Sequence, residues 1–344
     1  MLAWRVVRHA KPSEALELVE VEAPEPGPGQ VRARVLASAC NFNEVDGCHG
    51  RYKTVDPPLP YTLGMEAVGV VEAVGPGAEN WLGQRVILTG SGATGAHAQF
   101  AVGDTDMAFD CPESLDDLQA AAFFFPFHVA YLSLCERGGL VQGETVLVHA
   151  GAGGVGSAAI QLARALGARV LATAGGSAKR ERCLELGAEV AIDYREGDFA
   201  QAVLEATDGN GVDVACDLVG GAVTRETFRC MAYGGRLMMT GFAGGIEAED
   251  EAGLLPRPIL FGNFSVGGVL MAYGDSAHLR GSGIHFVPRA TAERMQGHLV
   301  ELLEAGQIRP LVERAVSYRA LPEELERMER RETIGRTVLD WREE

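Results

Sequence analysis

The sequence has 344 residues, room for two domains of about 100–200 residues each, and its 47% hydrophobic and 22% charged side chains suit a globule with a large core. Thirty Lys and Arg against 47 Asp and Glu leave a net charge of −17, which excludes a chain whose main business is nucleic-acid phosphates or an anionic membrane. The opening MLAWRVVRHA lacks the apolar stretch of a signal peptide and no apolar run approaches about 18 residues, so a cytoplasmic protein is expected.

From Val31 to about Val102, short β-rich runs (VRARVLA, MEAVGVVEAVG, QRVILTG, AHAQFAV) are broken by Gly and Pro, the grammar of a small barrel or sandwich. PGPG at Pro26–Gly29 and DPPLP at Asp56–Pro60 read as loops, because successive prolines lock φ and remove amide donors. Phe123, Phe124, Phe125 and Phe127 read mostly as core, with one ring a candidate wall for a planar ligand. From Glu144 the pattern becomes strand, tight turn, helix, repeated: TVLVHA then VGSAAIQLARALG, ARVLATAGG then SAKRERCLELG, AEVAIDY then DFAQAVLEATDG, VDVACDLVG then TRETFRCMAYGG. Continuous apolar strands between amphipathic helices predict an α/β fold with a doubly wound parallel sheet. After a Gly-rich apolar stretch from about Gly253 to Arg289 comes a helix, TAERMQGHLVELLEAG, and then a charged helix and strand ending in RTVLDW. Their economical place is back on the N-terminal β-domain, giving expected boundaries of 1–126, 127–275 and 276–344.

Seven cysteines (Cys40, Cys48, Cys111, Cys135, Cys183, Cys216, Cys230) are odd in number, scattered and never in a CxxC pair. They suggest neither a disulfide framework nor a thiolate zinc cluster.

The chemistry-bearing motif is GAGGVG, with Gly151, Gly153, Gly154, Val155 and Gly156 standing between the predicted strand Val146–His149 and a predicted helix. The first glycine permits the turn, the second lets backbone approach a pyrophosphate, and the third permits close helix–strand packing, with the diphosphate at the helix's positive end. Dinucleotide binding follows from that setting. About 20 residues on, where a carboxylate would take the ribose 2′-hydroxyl of NAD, stand Ala174, Gly175, Gly176 and Ser177. With no acid to repel a 2′-phosphate, and with Ser177, Lys179 and Arg180 as candidate contacts, NADPH is the expected cofactor. For Lys179 and Arg180 a solvated helix face is the alternative. By the strand-end rule for doubly wound sheets, Val219–Gly221 and Thr240–Phe242 line the nicotinamide half, which brings in Val219, Gly241 and Phe242.

With GMEAVGVVEAVG at Gly64–Gly75, NFNEVDG at Asn41–Gly47 and GAGGVGSAAIQLA in hand, the chain resembles the medium-chain dehydrogenase/reductase superfamily over nearly its whole length. More narrowly it resembles the zinc-independent quinone oxidoreductase (zeta-crystallin-like) branch. The resemblance implies a discontinuous GroES-like catalytic domain, a Rossmann domain, an active site in the cleft between them, and a homodimer or tetramer, of which the homodimer is expected here. Zinc-dependent relatives carry a catalytic Cys where this chain has Asn41 and a His where it has Met65, which leaves Glu66 without metal-binding company, and no metal is expected. The nearest improvised set, Cys40, Cys48 and His49, includes adjacent residues. The resemblance places Asn41 and Tyr52 in the substrate pocket, as a donor to the acceptor oxygen and as a wall or proton donor. It also matches Tyr194 and Arg331 to residues at the 2′-phosphate, Lys179 to a phosphate-binding lysine, and Asn263 to an asparagine near the carboxamide. Where the family often shows a threonine, this chain has Val129. His128 just before it is a candidate pH-sensitive donor facing the nicotinamide, with a packed histidine as the alternative.

Without a metal, such a site supports hydride transfer to an acceptor that is already electrophilic. The expected function is therefore NADPH-dependent reduction of a quinone or an α,β-unsaturated carbonyl, with a small-molecule acceptor and neither nucleic acid nor membrane as partner. An enoyl thioester is an alternative acceptor, and an NADPH-binding scaffold or stress protein with little catalysis is the alternative from another class. The stretch Gly244–Pro258, longer than an ordinary connection, is a candidate lid.

Overall fold

The computed structural model describes residues 1–342 apart from 52–54, 56, 246–252 and 254. The chain forms two compact units, one built from Met1–Phe124, Ala272–Ser276 and Pro310–Glu344, the other from Phe125–Met271 and Ala277–Arg309.

In the first unit the strands are β1 (Leu2–Val6), β2 (Leu16–Glu20), β3 (Gln30–Ala39), β4 (Tyr61–Thr62), β5 (Glu66–Val74), β6 (Arg85–Thr89), β7 (Phe100–Asp104) and β8 (Ala108–Asp110). Strand β3 shows why they form. Val31, Ala33, Val35 and Ala37 are fully or almost fully buried, while Arg32 and Arg34 alternate outward and Arg34 pairs with Glu72 at 2.6 Å. That period of two is what a sheet with one wet face demands. A helix, α1 (Phe42–His49), follows β3 directly.

The second unit opens with α2 (Phe124–Tyr131), whose first residue belongs to the first unit, and continues with β9 (Thr145–Val148), α3 (Gly154–Ala165), β10 (Arg169–Ala174), α4 (Ser177–Leu186), β11 (Val190–Asp193), α5 (Phe199–Ala206), β12 (Val212–Asp217), α6 (Ala222–Thr227), β13 (Met231–Met239), α7 (Pro256–Gly262) and β14 (Ser265–Gly268). The six strands are parallel, in the order β11-β10-β9-β12-β13-β14. Val146, Leu147 and Val148 are wholly buried, as strands covered on both faces must be. The strand order reverses beside β9, and in such sheets the ligand crevice lies beyond the carboxyl ends of the strands at that point.

Helix α8 (Arg289–Glu304) buries Ala292, Met295 and Leu299. The sequence reading returns the chain to the first domain at residue 276, whereas the packing keeps Ala277–Arg309 in the second unit. Two contacts explain this: Gln161 of α3 accepts from Arg309 N and donates to Arg309 O, both at 2.9 Å, and Tyr131 of α2 bonds His298 of α8 at 2.9 Å. Only then do β15 (Val312–Ser317), α9 (Leu321–Glu329) and β16 (Arg336–Asp340) rejoin the first unit. There β16 lies between β15 and β3, parallel to one and antiparallel to the other. The first unit is thus a discontinuous β-rich domain and the second a doubly wound α/β domain.

Each unit has its own core, one around Trp4, Val35, Leu88, Leu325, Leu339 and Trp341, the other around Leu147, Leu171, Phe199, Val203 and Leu237. Phe123, Phe124 and Phe127 are fully buried, and Phe124 packs on Phe109 and Tyr273 with ring centroids 5.0 and 6.5 Å away. Among the described residues no helix is long and apolar enough to cross a membrane.

Because Leu339 sits wholly buried in a strand flanked on both sides, Leu339→Ala is expected to cost about 2–5 kcal/mol, the range for a core cavity, read as a lower urea midpoint. A loosely attached terminal strand would lose less than about 0.5 kcal/mol.

Candidate functional site

The glycine loop lies at the carboxyl end of β9. Ala150 takes a left-handed φ of 50°, Gly151 N donates to Thr173 O at 2.9 Å, and Gly153 caps α3. A Cβ on Gly156 would stand 2.2 Å from Ala150 O and 2.8 Å from Gly151 Cα, so α3 can pack this closely on the turn only because position 156 has no side chain. A Cβ on Gly151 would meet Ala172 Cβ and Cys183 Sγ, each at 2.9 Å. The amides of Gly154, Val155 and Gly156 open the helix and have no carbonyl within it to bond. A cradle of bare backbone donors at a helix's positive end fits a diphosphate.

One strand over, β10 ends at Ala174 and α4 begins at Ser177, which is exposed. Lys179 is half-buried on the first turn of α4, and Arg180 donates from Nε to Ala191 O at 3.0 Å, turning it toward β11. Tyr194 follows β11, and its hydroxyl lies 2.8 Å from where a Cβ on Gly175 would be, so the ring covers the Gly175–Gly176 turn. The same place holds two residues that the sequence reading passed over. Asp193 binds Gly176 N at 2.7 Å and pairs with Arg195. The signal was the DYRE segment itself, in which only the tyrosine was singled out.

On the other side of β9, Asp217 organises the ends of β12 and β13. Its Oδ1 accepts from Val219 N at 2.9 Å and Gly220 N at 3.0 Å, its Oδ2 accepts from Thr224, and its carbonyl accepts from Thr240 N and Gly241 N. Ala243 N and Gly244 N then bond Leu218 O and Val219 O, so the Val219 and Gly241–Phe242 loops run side by side. Beneath them His149 is buried between Thr173 Oγ1 and Thr227 Oγ1, 2.9 Å from each, and burial lowers its pKa.

The structure thus gathers Gly151–Gly156, Ser177, Lys179, Arg180, Tyr194, Val219, Gly241 and Phe242 at one end of the parallel sheet. It does not bring Asn263 there. Asn263 precedes β14, takes φ 51° to end α7, and accepts from Gly234 N at 2.8 Å near the start of β13. It therefore sits at the amino end of the sheet, separated from the crevice by the four residues of β14, roughly 13 Å at about 3.3 Å per residue. The asparagine match was positional and took no account of which strand end it fell on.

His128 also departs from expectation. It is wholly buried, with Nε2 2.8 Å from Gln296 Oε1 on α8, and burial pulls its pKa down to about 4. Ser133, one turn beyond Val129, is the residue that reaches the strand ends, at 3.0 Å from Thr240 Oγ1 and 3.3 Å from Cys216 Sγ. His128 lies about 140° around the helix from it and faces α8.

In the first unit, Asn41 caps α1 with 3% of its surface exposed. Its Oδ1 accepts from Arg336 Nη1 at 2.8 Å, and its Nδ2 donates to Ala39 O at 3.0 Å and, at 3.4 Å, to Glu66 Oε1. Arg336 in turn pairs with Glu66. Both amide protons have protein acceptors, so Asn41 is anchored to the buried Glu66–Arg336 pair. Next to it Glu44 accepts from Asn41 N, Met65 N and His97 Nε2, at 3.0, 2.9 and 3.0 Å, and His97 Nδ1 meets Ser38 Oγ at 2.9 Å. Burial works against the Glu44 carboxylate, yet His97 and the backbone donors hold its pKa below the usual value. Burial also pushes up the Cys40 and Cys48 thiols, Cys48 to about 12, and among the described residues no three His, Cys, Asp or Glu groups converge. Arg331 stands at the turn after α9 with φ 59°. Tyr52 and most of the Gly244–Pro258 stretch lie outside the described residues.

The profile of the family described as an alcohol dehydrogenase GroES-like domain matches residues 27–113, and that of the family described as zinc-binding dehydrogenase matches residues 154–282. The solved structure of Escherichia coli quinone oxidoreductase complexed with NADPH is 28% identical, with 99% of this chain and 100% of that one covered at a TM-score of 0.86. The chain belongs to the medium-chain dehydrogenase/reductase superfamily. Within the superfamily the quinone oxidoreductase branch fits it. A mycobacterial structure complexed with NADPH is 27% identical over 99% of each chain, with a TM-score of 0.85. A mycocerosic acid synthase-like polyketide synthase of Mycolicibacterium smegmatis is 38% identical over 252 residues, which are 73% of this superfamily member but 12% of that protein. The chain spans only a small part of the length of the curated relatives it matches.

The His128 environment makes a prediction with a definite sign. An unfolded histidine takes up its proton near pH 6.5 and this one not until about 4, so stability from keeping it neutral is present above pH 6.5 and is lost as pH falls toward 4. Between pH 7 and pH 5 the wild type is expected to lose about 2 kcal/mol that His128→Asn does not lose, read from urea midpoints at the two pH values.

Proposed function

We propose that this chain is an NADPH-dependent reductase of small electrophilic acceptors, a quinone or an α,β-unsaturated carbonyl, and works without a catalytic metal. The observation that carries the reading is the glycine-rich backbone cradle at Gly151–Gly156, set against a β10 end that bears no acidic residue of its own. The NADPH complexes of two structural relatives support the same cofactor. Asn41 and Met65 stand where zinc-dependent relatives present a thiolate and an imidazole, and an amide and a thioether are poor ligands for Zn²⁺.

When bound, NADPH supplies a hydride from its nicotinamide ring. The amides of Gly154, Val155 and Gly156 hold the diphosphate, aided by the α3 dipole. Ser177, Lys179 and Tyr194 take the 2′-phosphate end, with Arg331 added by the family resemblance, and Arg180 braces α4 against β11. The Val219 and Gly241–Phe242 loops present backbone to the nicotinamide half and keep its orientation, because Asp217 fixes both loops. Asn41 orients the Glu66–Arg336 pair under the start of α1, and Tyr52 is the candidate proton donor carried over from the family. The exposed edge of β14 and the exposed Leu260 and Phe261 of α7 support a homodimer.

The likeness to polyketide synthases favours a second reading, in which the acceptor is an enoyl thioester. NADPH consumption with quinones, alkenals and enoyl-CoA esters decides between them. Turnover of quinones or alkenals with no competition from enoyl-CoA is expected, and no turnover with any acceptor despite tight NADPH binding would leave a scaffold. Gly156→Ala, which sets a methyl against Ala150 O, is expected to weaken NADPH binding at least about tenfold by fluorescence titration, since the cradle has to open to admit it.

A further inference from the structure

The end of β11 carries something that neither the fold nor the glycine cradle requires. Asp193, with a side chain only 4% exposed, lies in register with Ala174, the last residue of β10. It therefore brings to the second strand's end, from the neighbouring strand, the carboxylate that the second strand itself lacks. In this position a free carboxylate accepts a ribose 2′-hydroxyl and repels a 2′-phosphate. Here it is not free. Oδ2 accepts from Gly176 N at 2.7 Å and Arg195 Nη2 at 3.1 Å, and Oδ1 accepts from Arg195 N at 3.0 Å and Arg195 Nε at 3.1 Å.

The guanidinium is the other half of the arrangement. Its side chain is 57% exposed, yet its Nη2 lies 2.5 Å from where a Cβ on Gly176 would be, a contact that only glycine permits and that φ of 89° at that residue also favours. Two edge atoms, Nε and Nη2, grip the carboxylate, and Nη1 has no partner among the described residues. An arginine fixed edge-on in this way offers a pre-oriented donor at low entropic cost.

We propose that the Asp193–Arg195 pair sets the dinucleotide preference: Arg195 masks a carboxylate that would reject a 2′-phosphate and turns its outer N–H groups toward that phosphate. This rests on the NADPH reading above. It gives Arg195 a double role, so its removal does more than delete one cation. The bonds from Arg195, together with those from the backbone, hold Asp193 well below the usual carboxylate range, so in the wild type the masked group is a carboxylate and not a neutral acid.

The test is calorimetric titration of the full chain with 2′,5′-ADP and with 5′-AMP, which differ only in the 2′-phosphate. Wild type is expected to bind 2′,5′-ADP more tightly than AMP. Arg195→Ala is expected to weaken 2′,5′-ADP about 30-fold or more, beyond the loss of one charge-assisted contact, while AMP binding stays within about twofold. Adding Asp193→Asn to Arg195→Ala is expected to restore about fivefold toward 2′,5′-ADP, because the amide still accepts from Gly176 N but carries no charge. Arg195→Ala binding 2′,5′-ADP like wild type, or weakening both ligands equally, overturns the role of Arg195, and a double variant no better than Arg195→Ala overturns the masking. A wild type indifferent to the 2′-phosphate overturns the NADPH reading, and the proposal falls with it.

Discussion

Helix α3 has to meet the turn after β9 almost atom to atom, and much of the second unit follows from that contact. Position 156 can carry no side chain, since its Cβ would lie 2.2 Å from Ala150 O, and the same intimacy leaves the first amides of the helix uncovered. With the helix so placed, β10 and β12 flank β9 in parallel register and their ends converge on one crevice. Asp217 extends the constraint by tying two more loops to the same edge through four backbone amides. This edge is built mainly of backbone held rigid, with the side chains of α4 and β11 set around it.

The first unit answers a different problem, how to keep ionisable groups inside a β-rich core. Glu66 and Arg336 are buried together, and Asn41 bridges them with both ends of its amide. Glu44 gathers three donors, and through His97 and Ser38 the network reaches Trp341 Nε1, which donates to Ser38 Oγ at 2.9 Å. Each side chain has at least one partner, the condition under which buried polar groups are tolerated, and Arg336 Nε is the atom of the network left without one among the described residues. Removing one partner leaves a charge stranded, which is far costlier than never having had the pair.

Much of this was legible in the sequence, because periodicity reports burial on one face and glycine spacing reports close backbone approach. Runs such as TVLV and VDVACD read directly as covered strands, and GAGGVG read as a cradle. What escaped depended on facts that spacing does not carry. Asn263 was placed by likeness of segment, and only the direction of β14 shows that it lies at the amino end of the sheet. His128 looked like a functional titrating group, but the partner that buries it, Gln296, is 168 residues further along the chain. Asp193 is not legible from spacing, because the position about 20 residues after the glycine loop falls on β10, whereas this acid reaches the same edge from β11.

The two units also differ in when they can be completed. Strands β9–β14 and α8 occupy one stretch broken only by Ala272–Ser276, so their sheet has all its members before Pro310–Glu344 is synthesised. The first unit, although its early strands are made first, waits for β16 to be inserted between β15 and β3. Until then only Ala37–Ala39 of β3 lack a neighbour on the side away from β5, since β7 already covers Gln30–Arg34, and a short open edge of this kind can stray into intermolecular pairing. Synthesis thus imposes a waiting period on Met1–Phe124, and a chain stalled before β16 would hold that segment as an incomplete domain.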